Sequence, residues 1–221
     1  MDTQVAAVIY SYIFVFSIIL IATLLKKYLH LSEFTTRKLV HIGVGNWVIV
    51  AFYLFTDWYM AIIPPVSFIL INYLSYRYKI FKAMELDDKN PGTVYYSISL
   101  TVLTFLTFYW VPKHILPYLG IMSMVWGDGF AAVIGRSYPI RKIAENKSLG
   151  GSLAFIVMST LACIVYLVIN RDGLSLNYIV KLAILFSVIG AYVEFRTRKS
   201  IDNLTVPLIV GLIGFFMEQA L

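Results

Sequence analysis

Charge is scarce in this chain. Charged residues make up 14% of its 221 positions, whereas a soluble domain carries about a quarter. Cysteine is nearly absent as well: Cys163 stands alone, which excludes an internal disulfide framework. Set in an apolar run, it reads as a small core or lipid-facing residue. No G-x-x-x-x-G-K-[ST] occurs, so the chain is not a P-loop enzyme. The opening "MDTQ" lacks the basic region of a signal peptide, and no transit peptide is expected; the first apolar run should be retained as a span. What is abundant is hydrocarbon: 60% of the residues are hydrophobic and the mean hydropathy is +0.80. Val5–Leu25 and Leu149–Ile169 are each 21 residues without a charge, and a helix needs about 20 such residues to cross a bilayer. The fold class expected is all-α, a polytopic integral membrane helical bundle forming a single domain over 1–221.

Eight apolar segments can be marked: Val5–Leu25, Ile42–Thr56, Trp58–Tyr76, Val94–Val111, Ile115–Ile134, Leu149–Ile169, Tyr178–Val193 and Leu204–Met217. The second and eighth are short, and reach spanning length if their helices begin in the polar residues ahead of them. Pro64-Pro65 should kink the third at its centre by removing backbone donors. Trp58, Tyr59, Tyr109 and Trp110 fall near segment ends, as an interfacial aromatic belt does. Fifteen of the 18 basic residues lie in the odd-numbered loops, and only Lys113, Arg171 and Lys181 lie elsewhere. The positive-inside rule then makes the odd loops cytoplasmic and puts both termini on the other side. The net charge of +6 is thereby explained by topology, without nucleic acid.

The unusual polar clusters all fall in those odd loops, residues 26–41, 77–93, 135–148 and 194–203. In "EFTTRKLVHIGVGNW", Glu33, Arg37 and His41 recur every four residues, hence on one helix face; a salt pair at a helix start is the plain alternative. In "DDKNPGTVYYS", Asn90-Pro91-Gly92 signals a turn and Thr93 is a candidate N-cap. "GRSYPIRKIAENKSLGGS" gathers Arg136, Arg141, Lys142 and Lys147 before a Gly/Ser-rich helix start. Such a cluster suits polyphosphate, since backbone donors and the helix dipole add to the charges, and equally suits simple topology determinants. "EFRTRKSIDNLTVPL" holds Glu194, Asp202 and Asn203; either of the last two could merely cap a helix, with Pro207 tolerated in its first turn.

The most informative stretch is "GDGFAAVIGR", residues 127–136. Asp128 lies eight residues before Arg136, about 12 Å along a helix. A charge at the bilayer centre costs at least about 2.5 kcal/mol on insertion scales and usually marks a site facing protein or water. Gly127, Ala131 and Gly135 recur every four residues, a small-residue stripe on which another helix can pack. The glycines account for packing and leave the acid unexplained. Gly127, Gly129 and Ala132 formally match the dinucleotide fingerprint, but a membrane helix supplies neither the strand nor the crossover that motif needs.

Four loops thus bring acids (Asp128, Glu194, Asp202), an amide (Asn203), bases (Arg37, Lys38, Arg136, Lys147) and His41 to one face. Acids with an amide can hold Mg²⁺ and bases can neutralise phosphate oxygens, the division of labour that nucleotide-dependent phosphoryl transfer requires. "RKLVH", "GTVYY", "GDGFAAVIGR", "KSLGGS" and "IDNLTVP", in that order, resemble the phytol kinase and dolichol kinase family, within a wider group of membrane CTP-using transferases that includes phosphatidate cytidylyltransferase. The resemblance covers roughly Arg37 to Pro207. It implies transfer of the γ-phosphoryl group of CTP, or another nucleotide, to an isoprenoid or related lipid alcohol, with Mg²⁺ as cofactor. Asp128 would hold the metal or accept the substrate proton, with Asp202, Asn203 and Glu194 assisting. Arg136, Lys147, Lys38, Ser148, Thr93, Gly127 and Gly129 would contact nucleotide or phosphate, and Arg37 or His41 would orient the transferring group. One position departs: the family often reads Lys-Ser-x-Glu-Gly-Ser, and here Gly150 replaces that Glu, which puts an acidic role there in doubt. The partners expected are a lipid alcohol, a nucleotide and membrane lipids, in the plasma membrane of a prokaryote with the site facing the cytoplasm. Two alternatives are a CDP-lipid-forming cytidylyltransferase, whose longer C-terminal signature is missing, and a small transporter, against which the one-sided polar clusters speak.

Overall fold

The fold follows from which carbonyls and amides the sequence can satisfy inside a lipid solvent. The structure is a computed structural model that describes residues 3–80, 91–110, 113–144, 147–170, 173–198 and 200–220. Lys82, Lys89, Asn90, Arg171 and Lys199, used above for topology and turns, lie outside the described residues.

Among the described residues ten α-helices succeed one another: α1 Thr3–Leu29, α2 Glu33–Gly45, α3 Trp47–Leu54, α4 Trp58–Ala61, α5 Ile63–Tyr78, α6 Gly92–Phe108, α7 Leu119–Ser137, α8 Leu149–Asn170, α9 Leu176–Arg196 and α10 Asp202–Gln219. A 3₁₀ turn, Leu116–Tyr118, leads into α7. The bundle is all-α, as expected, apart from a hairpin of β1 Lys142–Ala144 and β2 Lys147–Ser148 that the sequence did not suggest. Among the described residues five units are long and apolar enough to cross a membrane: Thr3–Leu29, Trp58–Tyr78, Leu116–Ser137, Leu149–Asn170 and Leu176–Arg196; α6 is a shorter apolar helix. Outward faces carry residues such as Ile13, Leu20, Val157, Leu161 and Phe216, each more than half or nearly half exposed, as lipid-facing surfaces do.

The short second and eighth segments do begin earlier, at Glu33 and Asp202. The second is broken at Asn46, whose side-chain amide bonds the Ile42 carbonyl at 2.8 Å while its oxygen accepts from Trp126 Nε1 at 3.1 Å. In the third segment the break falls at Ile62 rather than at the centre of the span. Pro64 and Pro65 lack the donors that would continue α4, and they are accommodated in the first turn of α5.

α7 is the hub. Leu119 to Val125 are all buried, and α7 packs against α2, α8, α9 and α10. Its small-residue stripe works as expected: a Cβ on Gly151 of α8 would stand 3.1 Å from the Ala131 carbonyl and 3.4 Å from Gly135 Cα. On the other flank, a Cβ on Gly120 would stand 2.2 Å from the carbonyl of Pro207 in α10, so only glycine permits that crossing. With α10 starting at Asp202, Pro207 lies in the second turn and not the first. Its missing N–H frees the Asn203 carbonyl, which accepts from Ser99 Oγ at 3.1 Å.

Candidate active site

Asp128 leaves α7 between two glycines because two neighbours must come close there. A Cβ on Gly127 would meet the Phe155 ring at 2.7 Å, and one on Gly129 would meet Ile42 at 2.7 Å. Phe155 of α8 and Ile42 of α2 therefore seat against bare backbone on either side of the acid. The glycines serve packing; inside α7 their amides belong to the helix ladder, and the expectation that they contact phosphate does not fit this placement.

Three carboxylates converge on the hub. Asp128, Glu194 from the last turn of α9 and Asp202 from the first residue of α10 each offer an oxygen within 4.8 Å of the others. Glu194 and Asp202 are both 6% exposed. The turn that aims Asp202 contains Ser200 in the left-handed region, φ 75°, and is tied down by a 3.1 Å bond from Thr205 Oγ1 to Thr197 Oγ1. Neither Asp202 nor Asn203 is an N-cap: Ile201 holds that position, and the Asp202 side chain accepts from its neighbouring amide, Asn203 N, at 3.0 Å.

Two lysines answer this charge. Lys38, itself 8% exposed, donates to Asp128 Oδ2 at 2.6 Å and to the Asp128 carbonyl at 3.3 Å. Lys147 pairs with Glu194 Oε1. The hairpin explains how Lys147 gets there. β2 runs antiparallel to β1, Leu149 N bonds Arg141 O at 2.8 Å, and Ser148 Oγ then caps α8 by accepting from Gly151 N at 3.1 Å. Gly150 is part of the same fold-back. A Cβ there would stand 2.0 Å from the Tyr138 carbonyl, so this chain has no room at that position for the Glu seen in the resembling motif.

Beside the acids lies a cavity of about 170 Å³, lined by Arg37, Lys38, His41, Thr93, Asp128, Asp202 and Asn203 at its polar end. Val15, Val44, Trp47, Pro64, Phe68 and Leu100 line the remainder. His41 approaches Asp128, with Nε2 3.8 Å from Oδ2, and its ring meets Tyr96 edge-on at 5.7 Å. Thr93 is in the first turn of α6 and is not its cap; Pro91 precedes the helix, and the Thr93 carbonyl accepts from Asn72 Nδ2 at 3.3 Å. Gly92 lies close against Asn203: a Cβ there would stand 2.8 Å from Asn203 Nδ2, and the amide would have to turn aside.

Arg136 is the expected site residue that this cluster leaves aside: it is exposed, and its guanidinium lies over the Phe34 ring at 5.2 Å. Four polar cavity residues received no role from sequence reasoning: Asn72, Tyr96, Ser97 and Ser200. Asn72 joins Ser97 Oγ at 2.8 Å, and an amide inside an otherwise apolar segment was the available signal for it. Tyr96 sits within "GTVYY", a motif quoted above without a job for its second tyrosine.

Arranged this way, the site can hold a divalent cation among three carboxylates and present ammonium groups to phosphate oxygens. No protein-family model matches the chain, and no solved structure matches it. Curated relatives do. It is similar to a phytol kinase of Synechocystis, 32% identical over 203 residues that make up 90% of this chain and 86% of the relative. It is also similar to a chloroplastic farnesol kinase of Arabidopsis thaliana, 25% identical over 82% of this chain and 64% of that one. A third relative is a CTP-dependent diacylglycerol kinase of Schizosaccharomyces pombe, 28% identical over 57% of this chain and 61% of the relative. With a relative this similar along nearly its whole length, and with the quoted motifs gathered around one buried acid cluster, the chain belongs to the phytol and polyprenol kinase family.

Proposed function

We propose that this protein is a membrane-embedded lipid-alcohol kinase that transfers the γ-phosphoryl group of CTP, or another nucleoside triphosphate, to the hydroxyl of an isoprenoid alcohol. The observation that carries this reading is the meeting of three carboxylates, two of them buried, and two lysines beside a cavity that is lined mainly by apolar residues away from that cluster. Water-soluble and lipid-soluble substrates need such a two-faced site, and the names of the relatives agree with it.

Asp128, Glu194 and Asp202, with Asn203 beside them, would hold Mg²⁺; the bound ion would supply charge neutralisation on the phosphates. Lys38 and Lys147, paired with Asp128 and Glu194 in the absence of substrate, are placed to exchange a carboxylate partner for phosphate oxygens. Arg37 lines the cavity next to Lys38 and would orient the transferring group with His41. Ser148 would act through the cap of α8 and Arg136 from the exposed rim, both contributing to the nucleotide's approach. By the distribution of basic residues this end faces the cytoplasm, and the protein would reside in the plasma membrane of a prokaryote.

The test is direct. Purified protein is incubated with Mg²⁺, a lipid alcohol and CTP labelled at either the α or the γ phosphorus. Label reaching the lipid from the γ position alone is the expected result. Transfer from the α position would identify nucleotidyl transfer and overturn the kinase reading.

A further inference from the structure

The acid cluster faces a cavity that phosphoryl-donor chemistry does not by itself explain. Three polar atoms near its head are buried without a hydrogen-bond partner: His41 Nε2, Tyr96 Oη and Asn203 Oδ1. Buried polar groups are nearly always satisfied, and an orphan calls for an absent partner. Nε2 of a neutral His41 ring donates or accepts according to the tautomer. Tyr96 Oη can donate or accept. Two such atoms, on rings that meet edge-on with centroids 5.7 Å apart, can bracket one hydroxyl group.

The rest of the cavity is lined mainly by hydrocarbon, with the Asn72–Ser97 pair set into it, and the whole is small. An engineered cavity of about 150 Å³ takes up benzene, six carbons; the cavity here is about 170 Å³, room for roughly one five-carbon isoprenoid unit. Its apolar wall continues toward α1. Phe68 lines it and makes ring contacts with Tyr12 at 5.8 Å and Phe16 at 6.2 Å. Those two belong to an apolar groove along α1 that includes Ile9, Ile13 and Leu20.

We propose that this cavity is the acceptor subsite for a primary isoprenoid alcohol: His41 Nε2 and Tyr96 Oη position its hydroxyl, Val44 and Leu100 enclose its first isoprenoid unit, and its tail leaves past Phe68 along α1. The inference rests on the kinase reading and adds a rule of selectivity. The enzyme reads the head of its substrate and ignores the length of the tail. His41 and Tyr96 are positioning residues in this scheme, and Val44 and Leu100 determine specificity.

The experiment uses full-length protein in lipid nanodiscs with alcohols at fixed mole fraction. Removing a methyl group from the first unit should lower kcat/KM about fourfold, the value of one buried carbon, whereas adding an isoprenoid unit to the tail should leave it unchanged. Val44→Phe should raise KM for branched-head alcohols more than for straight-chain ones, with nucleotide binding intact. Selectivity that follows tail length and ignores the head would overturn the proposal. A second measurement needs neither variants nor turnover: an alcohol with a diazirine on its third carbon should crosslink to α2 or α6, and one with a terminal diazirine to α1 or lipid. Crosslinks of the first probe elsewhere would sink the subsite even in an active kinase. Correct crosslinks without phosphorylation would sink the kinase reading and leave the subsite standing.

Discussion

The two ends of α10 use charge in opposite ways. At its start, Asp202 meets Asp128 and Glu194, and the nearby lysines pair with carboxylates. At its end, sixteen residues and about 24 Å along the helix, Glu218 turns to backbone. Its Oε2 accepts from Ile115 N and Leu116 N, both at 2.7 Å, where the 3₁₀ turn leads into α7. Lys113 does the complementary job, donating to the carbonyls of Phe52 at 2.7 Å and Phe55 at 2.6 Å at the end of α3, with the Phe52 and Phe108 rings about it. Burial draws the Lys113 pKa down from its ordinary value; the two carbonyl bonds are what hold the ammonium there. An acid at a helix start and a base at a helix end each complement the dipole and fill orphaned backbone positions. Charges spent on backbone make architecture. Charges facing other charges across a cavity are poised for a ligand.

The contrast is broken most severely by Asp128→Asn. The change keeps size and the flanking glycine contacts, so the protein should stay folded in detergent. Turnover should fall by on the order of 10³, the scale on which one preorganised electrostatic group acts. An Asn variant with near-normal kcat would remove Asp128 from the site and with it the reading of that end as chemical. Next in size is Glu194→Gln. Losing one of three ligand charges should shift the Mg²⁺ requirement upward by on the order of tenfold while maximal turnover at saturating metal recovers. An unchanged metal titration would show that Glu194 serves only to anchor Lys147.

How much of this could be read from residues alone differs between the same two ends. The all-α membrane bundle was legible because apolar runs and their lengths are local properties, and so was the special status of Asp128, an acid whose neighbours exclude solvent exposure. The convergence of Asp128, Glu194 and Asp202 needed a three-dimensional crossing; Asp128 and Asp202 belonged to motifs of the resemblance, whereas Glu194 was marked only by its place at the end of an apolar segment. Lys147 was expected among the bases of the site without any hint of the hairpin that brings it to Glu194, because so short a fold-back leaves almost no periodic signal. Tyr96 and Asn72 were missed for another reason. A tyrosine and an amide within apolar helices are unremarkable until their partners are known. The Lys113 and Glu218 arrangement was invisible, since its partners are backbone atoms and sequence carries no pattern for those.

Gly150 tests whether the hairpin belongs to the chemistry or only to the scaffold. Gly150→Ala introduces a Cβ at 2.0 Å from the Tyr138 carbonyl, and such overpacking costs about 1–3 kcal/mol. The fold-back must shift to relieve it, moving Lys147 from Glu194. The expected result is a few-fold rise in the KM for nucleotide with a smaller change in kcat. Gly150→Glu should be worse, even though it restores the residue of the resembling motif. A gain of activity in that variant would mean that the fold-back can open and that an acid there has work to do.

The smallest effect on turnover is expected at the other end. Lys113→Met keeps the aliphatic stem against Phe52 and Phe108 but leaves two carbonyls short of a donor. A buried acceptor left without its partner costs about 1–3 kcal/mol, so thermal unfolding should begin at a lower temperature. Below that temperature, kcat and the Mg²⁺ requirement should match the parent protein, because nothing Lys113 touches reaches the acid cluster. Parallel measurement of unfolding temperature and turnover decides the matter. A variant that loses activity while keeping its stability would mean that the two ends of α10 communicate, and the division between a structural end and a chemical end would have to be given up.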